Sequence, residues 1–186
     1  MPVHRNETQS AAPKFSPGLV ASGEILLRTI IDPEHLGQDG ALSVAAISLK
    51  DIQERGWSVN RKKFTSLRRL QLLHSEKKSK KPTINRFFVL PVAASYFRQV
   101  AKTGKQDFVV IDDAPWGNPA HASVLLSSPC PDSKARLYRN QLMENLPKYV
   151  DVEKVFNPNE KFGHIVGTVK QLFAYARWYL RRSLEF

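Results

Sequence analysis

A single cysteine, Cys130, stands in the whole chain of 186 residues, between Pro129 and Pro131. One thiol excludes an internal disulfide and any cysteine-built metal cluster within one chain, and it fits a reducing compartment, the cytoplasm. Long apolar runs are also missing. The longest, residues 87–94 and 122–126, fall far short of the about 20 residues a spanning helix needs, so no membrane partner is expected. Residues 1–9 mix Arg5 with Glu7 and hold no apolar segment of the kind a secretory signal carries. None of G-x-x-x-x-G-K-[ST], G-x-G-x-x-G, G-x-S-x-G or H-E-x-x-H occurs, which leaves nucleotide-loop, nucleophile-elbow and zinc-protease chemistry without support. His4, His35, His74 and His164 are scattered without ligand spacing, and no metal or cofactor is expected.

Acidic residues are scarce in one stretch. Residues 50–105 hold 15 Lys and Arg against Asp51, Glu54 and Glu76 alone, whereas the remainder has 13 basic and 14 acidic residues. The formal charge of +11 is therefore a regional property, and a region that repels itself this strongly meets an anion. Helical spacing over residues 61–76 sets Phe64, Leu67, Leu70 and Leu73 on one side and Arg61, Lys62, Arg68 and Arg69 on the other. Residues 77–81, KKSKK, contain no apolar side chain and precede Pro82, which predicts a solvated loop. Lys77, Lys78, Lys80 and Lys81 of that loop, with Arg86 beyond it, extend the same cationic surface. Backbone phosphates ask little exact geometry of Lys and Arg, and Trp57 and Phe64 could stack on bases if exposed. The leading expectation is a basic protein that binds nucleic acid, RNA or DNA. An acidic protein partner accounts for the same charges.

Elsewhere the chain alternates short strand and helix signals. Residues 1–23 carry Pro2, Pro13 and Pro17 among small and polar residues and read as a flexible arm. Residues 24–186 read as one α+β domain, a small mixed sheet with flanking helices. Strands are expected at 24–31, 86–90, 107–111 and 121–127, and Ser48 is placed to cap a short helix that Gly56 ends. Val92, Tyr96, Phe97 and Val100 fall on one side of a helix between the second and third strands, suggesting a βαβ unit. Two further helices are expected at about 133–145 and 164–184. The last is amphipathic, with Ile165, Val169, Leu172, Phe173, Ala176 and Leu180 on one face.

A different functional class rests on the loop at residues 112–120, DDAPWGNPA, and the His121 that follows. Asp112 or Asp113 with His121 supplies an acid and base pair between two strands, the arrangement of a small toxin-like or nuclease-like enzyme. The same residue types also serve tight loops for conformational reasons alone. Arg28 is the third candidate, because a charge inside the apolar run 24–31 is costly unless it is exposed or paired. An early-strand arginine also opens the ADP-ribosyltransferase layout, but that layout needs Ser-Thr-Ser and Glu-x-Glu, and the chain has neither. An edge strand and a carboxylate partner are the expected setting for Arg28.

Overall fold

The apolar run at residues 24–31 does form a strand, and it takes an inner place in the sheet rather than an edge. In the computed structural model, which describes residues 15–99, 106–156 and 163–183, the strands are β1 (Ile25–Asp32), β2 (Trp57–Arg61), β3 (Arg86–Ala93), β4 (Phe108–Ile111), β5 (His121–Leu126) and β6 (Val150–Asp151). They join one six-stranded sheet in the order β4-β5-β2-β1-β3-β6. Every pairing is antiparallel, so the α+β class holds and the expected mixed sheet is an antiparallel one. Among the described residues no βαβ unit forms: three strands separate β3 from β4. β4 instead pairs with β5, Phe108 against Leu126 through Ile111 against Ser123, because the turn-rich loop between them lets the chain fold straight back.

Period-two alternation divides the side chains between two faces. Leu26, Ile30, Trp57, Val59, Leu90 and Val124 belong to the main core. Leu27 and Val89 point the other way and pack with Leu70 and Val152. Leu70 belongs to helix α1 (Leu67–Lys80), which thus covers the β1 and β3 part of that second face. The remaining helices are the single turn α2 (Ala94–Phe97), α3 (Asp132–Glu144) and α4 (Gly163–Ser183).

The helix expected from residue 61 starts later. Arg61 ends β2, Lys62–Phe64 make a 3-10 turn, and Ser66 in extended conformation accepts a hydrogen bond from Arg69 N at 3.3 Å, capping α1. At its other end α1 runs on through Lys80, so the lysine cluster is the helix's last turns and not a loop. Cations there complement the carbonyl end of the helix. The short helix before Gly56 does form, as a π-turn over Asp51–Arg55, with Gly56 at φ +91° closing it.

The expected arm is only partly within the described residues, which begin at Phe15. From there on it packs on the sheet: Val20 is buried in the main core and Phe15 stacks on Tyr175 of α4. Residues 1–14 and Val100 lie outside the described residues. No helix among the described residues is long and apolar enough to cross a membrane.

Candidate functional site

Register brings distant polar residues to one spot. Ser58 of β2 faces Ser123 of β5, Asn60 faces His121, and Ile111 of β4 faces Ser123. Asp113 lies two residues beyond Ile111, so alternation turns its side chain to the same face as Ser58, His121 and Ser123. There Asp113 Oδ1 lies 2.6 Å from His121 Nδ1, and Ser123 Oγ donates to Oδ2 at 2.5 Å. The other imidazole nitrogen, Nε2, lies 3.0 Å from Ser58 Oγ. An ionised carboxylate only accepts, so it places the imidazole proton on Nδ1 and leaves Nε2 to accept from Ser58. The result is an ordered chain, Asp113 to His121 to Ser58, ending at an exposed hydroxyl.

Arg28 reaches the same residue from the neighbouring strand. Its NH1 donates to Ser58 O at 2.9 Å and its NH2 to Ala46 O at 3.4 Å, with the guanidinium 5.2 Å from the Trp57 ring centroid. Among the described residues no carboxylate is within ion-pair distance, and Nε is buried without a partner. This corrects the expected edge-strand, carboxylate-paired arginine: backbone carbonyls hold the cation. Burial lowers Arg28 to about 10, partly offset by the charges of Asp51 and Glu34, so it stays cationic at neutral pH. Desolvation also lowers Lys77 of α1, and the Arg28 charge lowers it further.

Gly56 keeps the arrangement compact. A Cβ at this position would come 2.4 Å from Ser123 Oγ, the group that holds Asp113.

Asp112, one residue earlier, does different work. With Arg61 and Glu24 it forms an ion cluster inside the protein: Arg61 grips both Glu24 oxygens at 2.8 Å and Asp112 Oδ2 at 3.1 Å. The same guanidinium donates to the carbonyls of Gly18 and Leu19, while Ser16 Oγ donates to Asp112, tying the start of the described chain to the sheet. Burial pushes Glu24 up, yet the hydrogen bonds of Arg61 and Lys63 leave it below the usual carboxylate range; for Asp112 burial wins and its carboxyl is raised.

These interactions redraw the basic surface. Arg61 is 1% exposed and fully engaged, so it is withdrawn from any phosphate-binding role. Trp57 and Phe64, at 0% and 2% exposed, are core residues and cannot stack on bases. Lys62 is half-buried, its Nζ 6.0 Å from the Phe156 ring, and Arg69 donates to Gly117 O at 3.5 Å. Arg68 is exposed, as are Lys77, Lys78, Lys80 and Lys81. Lys81 pairs with Glu34 at 3.2 Å, and Arg86 with Asp151. Lys78 and Arg86 border a cleft of about 350 Å³ between α1 and β3, whose walls also include Asp151 and Glu153. The expected single cationic helix face is thus divided among a strand end, a 3-10 turn and α1, and part of its charge is neutralised internally.

Sequence reasoning reached Arg28, Asp113 and His121 but missed Ser58. It sits in a five-residue strand, WSVNR, and only the pairing of β2 with β5 shows that it faces the histidine 63 residues away. Among the described residues no group of three or more His, Cys, Asp and Glu could hold a metal ion. Comparison with protein-family models, with curated proteins and with solved structures gives no match.

Proposed function

We propose that this chain is a small nuclease-like enzyme that cleaves a phosphate ester through Ser58, His121 and Asp113, with nucleic acid as the substrate class. The observation that carries the reading is the hydrogen-bonded order Asp113 to His121 Nδ1, then His121 Nε2 to Ser58 Oγ. That connectivity, carboxylate to imidazole to hydroxyl, activates a serine whatever the fold. In the proposed step Nε2 takes the Ser58 proton as Oγ attacks phosphorus. The bond from phosphorus to the leaving oxygen breaks, and the imidazolium returns the proton to that oxygen. Water then repeats the sequence on the phosphoserine, restoring Ser58. Arg28 holds the Ser58 backbone carbonyl from the Trp57 side of the sheet, and the surplus charge of residues 50–105 draws in an anionic chain.

Turnover of RNA, DNA and small phosphodiesters, with covalent labelling by a fluorophosphonate, tests the reading. Labelling at Ser58, lost in His121→Ala, and turnover reduced about 10³-fold or more in Ser58→Ala are expected. An unlabelled Ser58 together with unchanged turnover in Ser58→Ala and His121→Ala, or no turnover at all, would sink it.

A second reading, binding without chemistry, is favoured by the exposed lysines at the end of α1, Lys77, Lys78, Lys80 and Lys81. Affinity for labelled RNA or DNA should then fall steeply between about 50 and 200 mM salt. Changing these lysines to alanine should flatten that slope by about 0.9 for each phosphate no longer neutralised. An acidic protein partner would use the same lysines and leave nucleic-acid affinity absent.

A further inference from the structure

Helix α4 carries its apolar face outward. Ile165, Val169, Leu172 and Phe173 are 56%, 43%, 50% and 66% exposed. The opposite side is the one set against the protein. Gly167 there lies so close to Pro119 that a Cβ would approach it to 2.7 Å, and Gln171, 1% exposed, donates to Pro115 O at 3.0 Å. The inward side is therefore occupied by small and polar residues, and the apolar side has no partner among the described residues.

Spacing and charge indicate what that partner is. Ile165, Val169, Leu172 and Ala176 follow one another at four, three and four residues, the interval of a helix-pairing seam. Gly163–Ser183 contains no acidic residue, and Lys170 and Arg177 lie to one side of the seam, so no charge interrupts it. We propose that α4 pairs antiparallel with α4 of a second copy of this chain. A two-fold axis between positions 170 and 171 sets Ile165 against Ala176 and Val169 against Leu172 of the other copy, each contact occurring twice. Ile165 then meets the small Ala176, and Val169 meets Leu172, apolar against apolar. Lys170, its Nζ 5.3 Å from the Phe64 ring of its own copy, stays outside the seam. Ile165, Val166, Val169, Leu172 and Phe173, all exposed, each offer on the order of 100 Å², about half of what a large apolar side chain buries in full. The pair thus covers on the order of 1,000 Å² over both copies, the lower range of specific interfaces.

Sedimentation equilibrium of the full chain tests this. The mass should rise from 21.1 kDa toward twice that value between roughly 1 and 100 µM, the range such an interface supports. Leu172→Glu should weaken the association at least about tenfold with an unchanged far-ultraviolet spectrum. In a Cys130→Ser background, Val169→Cys mixed with Leu172→Cys should form a disulfide between unlike copies more readily than either variant alone. A chain that stays monomeric across that range overturns the proposal. So does cross-linking dominated by like copies, which would mean parallel pairing. Vesicles containing phosphatidylserine form a third arm: a monomer that binds them through this face, and loses them in Leu172→Glu, would assign the face to lipid and overturn the dimer.

Discussion

His121 and Arg61 show how differently a polar residue can be used within one sheet. His121 is held from both sides, at Nδ1 by Asp113 and at Nε2 by Ser58, and remains partly exposed. Asp113→Asn should lower turnover by about 10²–10⁴-fold with little change in substrate affinity, because the amide no longer fixes the imidazole tautomer; kcat and KM measured separately check this. Arg61 has no open side left. Arg61→Ala leaves the buried Asp112 without its cation and Glu24 with Lys63 alone, and urea unfolding should report a loss of about 3–5 kcal/mol. His35 and His74 respond to pH. Burial lowers both to about 4, and Ile31 N donates to His35 Nδ1, a bond that a proton on that nitrogen would break. Between about pH 6.5 and 4 the unfolded chain binds protons at these sites that the folded chain refuses, so stability falls as pH drops through that window. Melting temperature measured from pH 7 to 5 should decline, and the decline should be shallower in His74→Gln.

At the level of elements, β2 decides the site. Its length of five residues sets Ser58, Asn60 and their neighbours against β5 in one register, and a slip by one residue would turn Ser58 into the main core. Gly56, at φ +91°, lets the chain enter β2 close against Ser123. Gly56→Ala should therefore destabilise by more than about 1 kcal/mol and lower turnover together, through displaced Ser123 and Asp113; thermal melts run beside the activity assay check this. For α1 the cap is the weak point: Ser66→Ala should cost about 1 kcal/mol without altering Ser58, His121 or Asp113. The lysines at the far end of α1 illustrate a limit of composition. KKSKK lacks every apolar signal of a helix, yet the helix begun at Ser66 continues through it because each added residue gains a hydrogen bond without a new nucleus.

For the whole molecule, the sheet order β4-β5-β2-β1-β3-β6 puts β5 and β2 side by side although Ser58 and His121 are 63 residues apart, and that adjacency creates the candidate site. Local features were legible in the residues alone: the strands at 24–31, 86–90, 107–111 and 121–127, the helix stop at Gly56, the amphipathic last helix, and Arg28, Asp113 and His121 as chemically unusual. Period and turn chemistry act over a few residues, so a sequence displays them directly. The residues alone also showed a single cysteine and no apolar run of about 20 residues, because those are matters of count and run length. Tertiary structure decided the rest: that the sheet is antiparallel, that Arg61 is an internal ion partner, that Ser58 meets His121, and that the apolar side of α4 faces away from the sheet. Each depends on which strand lies beside which and on which face is covered, and those are settled by contacts between residues far apart in the chain.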